Sequence, residues 1–344
     1  MYKTSYFSVL LLVLIGLSLL NCRKNDSISK KIETINIIAT SDNIPYSDFI
    51  SVIDSISIIN EDNFYFSTIE DICISDSSLF FLDATSNLVK VNLSSGRIEQ
   101  KINLSGHSDA ECVTPKAVTC AEDNVFVLDL NGNKILTLDS NLKYLNSIPT
   151  HVSAVDFAII PEGFLLFNLN CGEGDDLVLS IDRNGNILNH FIASDGIPEL
   201  IISQHIFTEA TDGIVIVPPL QNKLFRYDFQ TANVSYTYDY EFNLPNTNGN
   251  KSAETLPLPN TVIKAFESER YIIAEFFAGQ FISTSIYDKT DRHSSSGTIK
   301  TGIPYPFSPM ALKDNILYGI YDKDPFSGDV KGHIIIKYYL KTDK

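Results

Sequence analysis

The chain has 344 residues, a formal net charge of −16 at pH 7 and 44% hydrophobic residues. A negative surface of this size repels phosphate backbones, so the composition argues against a nucleic-acid partner. The same charge keeps a protein soluble, and we expect the chain to be a monomer.

The N-terminal residues predict an export signal. Lys3 is the only charged residue before a run of fourteen almost entirely apolar residues from Phe7 to Leu20. A membrane-spanning helix needs roughly 20 apolar residues, whereas the apolar core of a signal peptide needs only about 7–15. Residues 1–21 are therefore interpreted as a cleaved signal peptide.

The signal ends in Leu19-Leu20-Asn21-Cys22, which resembles a lipobox, the site at which a cysteine thiol is acylated and becomes the new N-terminus. Asn21 is larger than the usual Gly or Ala, and the alternative is an ordinary signal peptide followed by an incidental cysteine. We expect lipidation of Cys22, a flexible polar tether over residues 22–34, and anchoring in a membrane of the periplasm or outer membrane.

A repeated pattern of short strands runs along the rest of the chain. Asp83 and Asn92, each ending an apolar run, are matched by Asp129 and Asp139, which follow 46 and 47 residues later. The runs are rich in Val, Ile, Leu, Phe and Tyr and are bounded by Asp, Asn, Ser and Gly, which is typical of strands joined by tight turns. The repeated units span residues 72–102, 117–148, 157–192, 207–242, 265–299 and 310–340.

Six such units with no helical periodicity between them predict an all-β fold, a six-bladed β-propeller over residues 35–344. The sixth unit has only about three strands, whereas Ser51–Asn60 is a strand-like run that precedes the first unit. An N-terminal strand that completed the last blade would close the ring and remove an exposed sheet edge. We therefore expect Ser51–Asn60 to complete the sixth blade.

Three stretches carry a family resemblance: residues 66–92, 125–139 and 302–322. They resemble the six-bladed β-propeller lipoproteins found widely in Bacteroidetes and, more loosely, NHL-repeat and TolB-type propellers. The resemblance covers nearly all of the chain after the tether, and it implies a propeller fold in the cell envelope. It implies no particular chemistry, because this family often has a loop containing Pro-Gly-Glu between its first two blades and this chain has LSGHSDAECVTP there.

Two acidic loops are the candidate ligand site. In a propeller, the loops between blades and the loops joining each second and third strand gather on one face around the central channel, the usual ligand surface. If the two loops converged, their oxygens would suit calcium, which takes roughly six to eight oxygen ligands. The alternative is solvated carboxylates on an acidic protein, and we expect no other cofactor. The candidate residues are His107, Asp109 and Glu111 in one loop and Glu173, Asp175 and Asp176 in the other.

Four cysteines follow Cys22, and no two have CxxC spacing, which argues against a zinc site or a thioredoxin-like motif. Cys112 and Cys171 fall in the two acidic loops, so a disulfide between them is one prediction, and pairing of Cys112 with Cys120 is its rival. Cys73 and Cys120 lie in apolar strand patterns typical of buried thiols.

The sequence contains no HExxH, GxSxG, phosphate-binding or dinucleotide-binding motif. It also contains no Trp, the most effective side chain for stacking on sugars, which weakens an interpretation as a glycan binder. We expect a lipid-anchored envelope module that binds or scaffolds a protein, a peptide or a small ligand. The alternative is a periplasmic or surface enzyme, a lyase or hydrolase that uses the loop-rich face, and a purely structural role in an envelope complex is a third hypothesis.

Overall fold

Six sheets of four or five strands, in which all but two of the strand pairs are antiparallel, make up the described part of the chain in the computed structural model. The predicted signal peptide and Cys22 lie outside the described residues. The chain divides into Met1–Ile32 and Glu33–Lys344, and the strands that the structure describes belong to the second unit. Within the described residues, no helix is long and apolar enough to cross a membrane. The structure describes residues 32–38, 40–59, 66–169, 171–172, 174–194, 205–244, 260–279, 281–322 and 332–342.

Three strands precede the first blade. They are β1 (Glu33–Ile37), β2 (Ser41–Pro45) and β3 (Ile50–Ser57), with a single 3-10 turn at Tyr46–Asp48 between the last two. The first two residues of β1 fall at the end of the segment that the sequence assigns to the tether.

The six blades follow in chain order. Blade 1 consists of β4 (Ile69–Ile74), β5 (Ser78–Asp83), β6 (Asn87–Asn92) and β7 (Ile98–Asn103). Blade 2 consists of β8 (Pro115–Ala121), β9 (Asn124–Asp129), β10 (Lys134–Asp139) and β11 (Tyr144–Pro149). Blade 3 consists of β12 (Ala154–Ile160), β13 (Gly163–Asn168), β14 (Asp176–Asp182) and β15 (Ile187–Ala193). Blade 4 contains β16 (Phe207–Ala210), β17 (Gly213–Ile216), β18 (Lys223–Asp228) and β19 (Asn233–Phe242). Blade 5 contains β20 (Thr261–Glu267), β21 (Tyr271–Ala278), β22 (Phe281–Asp288) and β23 (His293–Lys300). Blade 6 contains β24 (Ala311–Lys313), β25 (Ile316–Asp322) and β26 (His333–Leu340).

The first strands of neighbouring blades contact one another, so they line the axis, and the later strands of each blade follow outward in order. The predicted six-bladed β-propeller is confirmed. In this arrangement the links between blades and the loops between second and third strands lie on one face, which we call the loop-rich face. The remaining turns lie on the opposite face, which we call the turn face.

The ring is closed as the sequence predicts. β3 pairs antiparallel with β26, from Ser57 opposite Ile334 to Ile50 opposite Leu340, and becomes the fourth strand of blade 6. The chain then reaches blade 1, where the Ile59 N–H donates to the carbonyl oxygen of Gly96 over 2.8 Å.

Gly96 is required at that crossing. Its φ is +71°, and a Cβ atom there would lie 2.1 Å from the carbonyl oxygen of Ser57. A side chain at position 96 would therefore push the closing segment away from blade 1.

Two further N-terminal strands, which the sequence does not predict, lie on the outside of the ring. β1 pairs parallel with β19 and becomes a fifth strand of blade 4, and β2 pairs parallel with β23 in blade 5. Ile35, Ile37 and Ile44 are buried beneath them. Residues 33–59, here called the N-terminal belt, thus run along the outer edges of blades 4, 5 and 6 and end at blade 1.

The buried apolar side chains fall into six clusters, each between two adjacent blades. Phe80 of blade 1, for example, packs in one cluster with Val127 and Leu136 of blade 2. The belt contributes Ile35 and Ile37 to the cluster between blades 4 and 5. Because each blade needs both neighbours to bury its two faces, stability depends on a complete ring.

A repeated turn explains the spacing seen in the sequence. At the end of the third strand of blades 1 to 5, a carboxylate or amide oxygen accepts the backbone N–H two residues further on. Such side chains stabilise tight turns by replacing a backbone hydrogen bond. The turn residues are Asn92, Asp139, Asp182, Asp228 and Asp288.

Candidate functional site

The first predicted acidic loop links blades 1 and 2, and its carboxylate folds back on the loop itself. The Ser108 N–H donates to Glu111 Oε2 over 3.0 Å, and this hydrogen bond lowers the pKa of Glu111. His107 and Asp109 are exposed in the same loop. Lys134 holds the main chain of the loop by donating to the carbonyl oxygen of Asp109 over 3.3 Å.

The second acidic loop joins β13 and β14 in blade 3. Asp175 Oδ2 accepts the N–H of Gly172 over 2.7 Å, and Asp176 Oδ2 lies 2.7 Å from His190 Nδ1. Glu173 lies outside the described residues. Among the residues that the structure describes, no hydrogen bond or ion pair joins the two loops, and no group of three or more His, Cys, Asp or Glu could hold a metal. The calcium site stays a prediction.

The four described cysteines are free thiols, so the structure does not join Cys112 to Cys171 or to Cys120. Cys112 is buried in the cluster between blades 1 and 2, whereas Cys171 packs against the cluster between blades 3 and 4. Burial raises the pKa of Cys112 to about 12. Cys73 and Cys120 are buried in innermost strands, and burial together with a hydrogen bond to Cys120 raises the pKa of Cys73.

A separate group of ionisable side chains lines the central channel near the loop-rich face. Asp71 and Asp156 are each the third residue of an innermost strand, in β4 and β12, and each follows a β-bulge. A bulge inserts one residue and redirects the next side chain, which is why bulges are frequent beside functional sites. His205, just before β16, lies with Nδ1 3.4 Å from Asp71 Oδ1.

Both aspartates tie one blade to another. Asp71 Oδ2 accepts the N–H of Val118 in blade 2 over 2.7 Å. Asp156 Oδ2 accepts the N–H groups of Ile206 and Phe207, at the entry to blade 4, over 2.6 and 2.9 Å. Since a buried N–H without an acceptor is costly, these carboxyl groups fix the innermost strands relative to one another.

The surroundings shift the protonation of this group strongly. Burial raises the pKa of Asp156 to about 7, and burial with repulsion from Asp156 raises the pKa of Asp71. Burial, helped by the charges of Lys264 and Lys116, lowers the pKa of His205 to about 3. At neutral pH the imidazole of His205 is therefore uncharged.

Two lysines place positive charge beside this group. Lys264 follows a bulge in β20; its Nζ lies 3.1 Å from Glu275 Oε2 and donates to the carbonyl oxygen of Pro309 over 2.6 Å. Lys116 of β8 lies 3.9 Å from Glu70. The channel beside these residues has a volume of about 70 Å³, enough for a few water molecules or a small polar group but too small for a sugar. We call Asp71, Asp156, His205, Lys116 and Lys264 the channel cluster.

The sequence contains a pattern that marks the channel cluster, although the predicted site lay in the loops. Asp71 and Asp156 stand within the strand sequences IEDICI and AVDFAII, where acidic residues interrupt an apolar run. Both occupy the same place in the repeat, immediately after the bulge.

Comparison with known proteins agrees with the fold. Residues 23–301 match the profile of the DUF5128 family, described as a 6-bladed beta-propeller. The chain belongs to this family. The match ends before blade 6, and the structure shows that blade formed by β24 to β26 with β3.

Solved structures resemble the chain in fold. A Bacteroides fragilis protein classed as exported is 13% identical over 90% of this chain and all of its own, with a TM-score of 0.70. A member of the DUF4221 family from Bacteroides vulgatus is 10% identical over 85% of this chain and 97% of its own, with a TM-score of 0.51. At these identities the similarity shows the fold alone. A search of curated proteins found no match.

Proposed function

We propose that the chain is a lipid-anchored module of the cell envelope that binds or scaffolds a partner at its loop-rich face. The observation that carries the proposal is the channel cluster, in which burial shifts the pKa values of Asp71, Asp156 and His205 beside the positive charges of Lys116 and Lys264. Such groups concentrate at functional sites, because their burial is costly and needs compensation.

The position of the N-terminus supports anchoring through Cys22 in the periplasm or outer membrane. β1 is the outermost strand of blade 4, so the chain reaches the propeller at its outer edge. A lipid anchor ahead of β1 would therefore be connected through the outer edge of blade 4 and not through a loop of the loop-rich face. The Bacteroides fragilis protein of similar fold is described as exported, which agrees with this location.

Replacing Cys22 with Ala should release the mature protein from the membrane fraction, because the acyl chains would have no attachment site. Fractionation of cells followed by immunoblotting measures the change. Cys171→Ala is the matched control, since it removes a different free thiol and should leave the protein in the membrane. Persistence of Cys22→Ala in the membrane fraction would show that the anchor is misassigned.

A photo-crosslinking residue tests which face binds. Placed at His107 on the loop-rich face, it should capture an envelope partner in living cells. Placed at Asn141, exposed in a turn on the opposite face, it should not. Equal capture from both positions, or none from His107, would contradict the assignment of the loop-rich face as a scaffold for an envelope protein.

One observation favours the alternative, an enzyme. The Asp71–His205 pair couples a carboxyl group to an uncharged imidazole, an arrangement that general acid–base catalysts use. Both side chains are largely buried, however, and Asp71 is also engaged with the N–H of Val118. A lyase or hydrolase activity that His205→Asn abolished without changing thermal stability would replace the binding proposal.

A further inference from the structure

A second cavity lies on the turn face between blades 2 and 3, away from the channel cluster. It is a groove of about 570 Å³, a size within the range of roughly 300–1,000 Å³ typical of small-molecule sites. Its walls combine polar side chains with apolar ones, among them the buried residues Phe126, Ile148 and Ile160.

Arg183 supplies the positive charge of the groove. It projects from the turn between β14 and β15, and its guanidinium carbon lies 4.6 Å from the ring centre of Phe164 and 5.4 Å from that of Phe126. Among the described residues its guanidinium makes no hydrogen bond or ion pair. Stacking on rings occupies the flat face of a guanidinium and leaves its five in-plane N–H donors available.

Two polar side chains, Thr137 and Asn146, lie in the wall that blade 2 contributes to the groove. Thr137 of β10 lies opposite Phe126 on one side and Asn146 on the other, so the three side chains share one face of the sheet. Thr137 is 6% exposed, and its hydroxyl has no hydrogen-bond partner in the described part of the chain. A buried hydroxyl without a hydrogen-bond partner in the lining of a groove indicates that its partner is a polar group from outside the chain.

The charges select the class of ligand. Arg183 can pair with one carboxylate, whereas Glu122, whose charge already acts on Arg183, lines the same groove and the whole chain carries a net charge of −16. A second negative charge on the ligand would therefore be repelled. We propose that the groove binds a small carboxylic acid with an apolar body, its carboxylate paired with Arg183 and its body against Phe126 and Ile160.

Calorimetric titration with 3-phenylpropionate tests the proposal, with 3-phenylpropionamide as its uncharged counterpart. For a ligand of this size we expect a Kd of about 1 mM or below. The amide should bind at least about tenfold more weakly, because a charge-assisted pair with Arg183 is lost. This comparison uses the unchanged chain and does not depend on the folding of any variant.

Arg183→Gln should weaken binding of the acid by about tenfold or more and bring its affinity close to that of the amide. The matched control is Arg292→Gln, because Arg292 occupies the corresponding turn between β22 and β23 in blade 5, where it is 78% exposed. That variant should bind as the unchanged chain does. Equal affinity for acid and amide, unchanged binding by Arg183→Gln, or no binding at about 10 mM acid would overturn the proposal.

Discussion

A chain that begins at Ile58, and so lacks β1, β2 and β3, should not fold into a monomeric propeller. Loss of β3 exposes the edge of β26, and loss of the whole N-terminal belt opens the apolar clusters that it completes. An uncovered edge rich in Ile and Tyr pairs readily with other chains, so we expect aggregation. Size-exclusion chromatography and circular dichroism measure the outcome.

Shorter truncations separate the contributions of the three strands. A chain beginning at Thr40 loses only β1, with Ile35 and Ile37, which are 1% and 0% exposed. Burial of each of these side chains contributes about 1.5–3 kcal/mol to the free energy of unfolding. It should remain a monomer but unfold at lower denaturant concentration. A chain beginning at Ile32 keeps the whole belt and serves as the control. A cooperative, monomeric chain from Ile58 with unchanged stability would refute the role of the belt in closure.

The second large effect is expected from Asp156→Ala. The substitution leaves the N–H groups of Ile206 and Phe207 without their acceptor in a buried position. At about 1–3 kcal/mol for each unsatisfied donor, the free energy of unfolding should fall by roughly 2–6 kcal/mol. Urea denaturation monitored by circular dichroism measures it.

Asp139→Ala is the matched control, since the Asp139 carboxylate also accepts two backbone N–H groups, those of Asn141 and Lys143. These donors are exposed and water can replace the carboxylate, so the cost should be about 1 kcal/mol. Equal costs for the two substitutions would mean that Asp156 does not hold blades 3 and 4 together.

The free energy of unfolding of Asp156→Asn, measured as a function of pH, tests the protonation state of Asp156 in the folded chain. In the folded chain Asp156 has a pKa of about 7, against an ordinary value of 3.8, so between these values the folded state keeps a proton that the unfolded state loses. The wild-type chain should therefore lose stability relative to Asp156→Asn as the pH rises from about 4 to about 7, by about 4 kcal/mol in all. A difference that stays constant over this range would show that Asp156 is ionised when folded.

The blades could be predicted from the sequence because each carries its own local signals. The side chains of Asn92, Asp139 and Asp182 make the same turn at the same place in successive units, and the strands before them are apolar. β3 was predicted because the strand-like run Ser51–Asn60 precedes the first unit and the sixth unit lacks a fourth strand. β1 and β2 were not, since each has five residues and pairs with a strand more than 200 residues away, which leaves no local mark.

The candidate site was harder to predict for a physical reason. Carboxylates in loops stand out in a sequence, which favours Glu111 and Asp175 as site residues; in the structure each is hydrogen-bonded within its own loop. Asp71 and Asp156 lie in strands, where their significance depends on a bulge and on contacts with another blade. Alignment of the repeats would have shown both at one position. Arg183 gives no such signal, because its place above Phe126 and Phe164 arises only when two blades meet.

The N-terminal belt also determines how the protein responds to mechanical load. A force applied at the N-terminus acts first on β1, which is held to β19 by parallel pairing. β2 is attached to β23 in the same parallel sense and bears the load next. Both strands must detach before tension reaches β3, the strand that closes the ring. Detachment of β1 and then of β2 therefore protects the closing strand β3 from a force applied at the N-terminus.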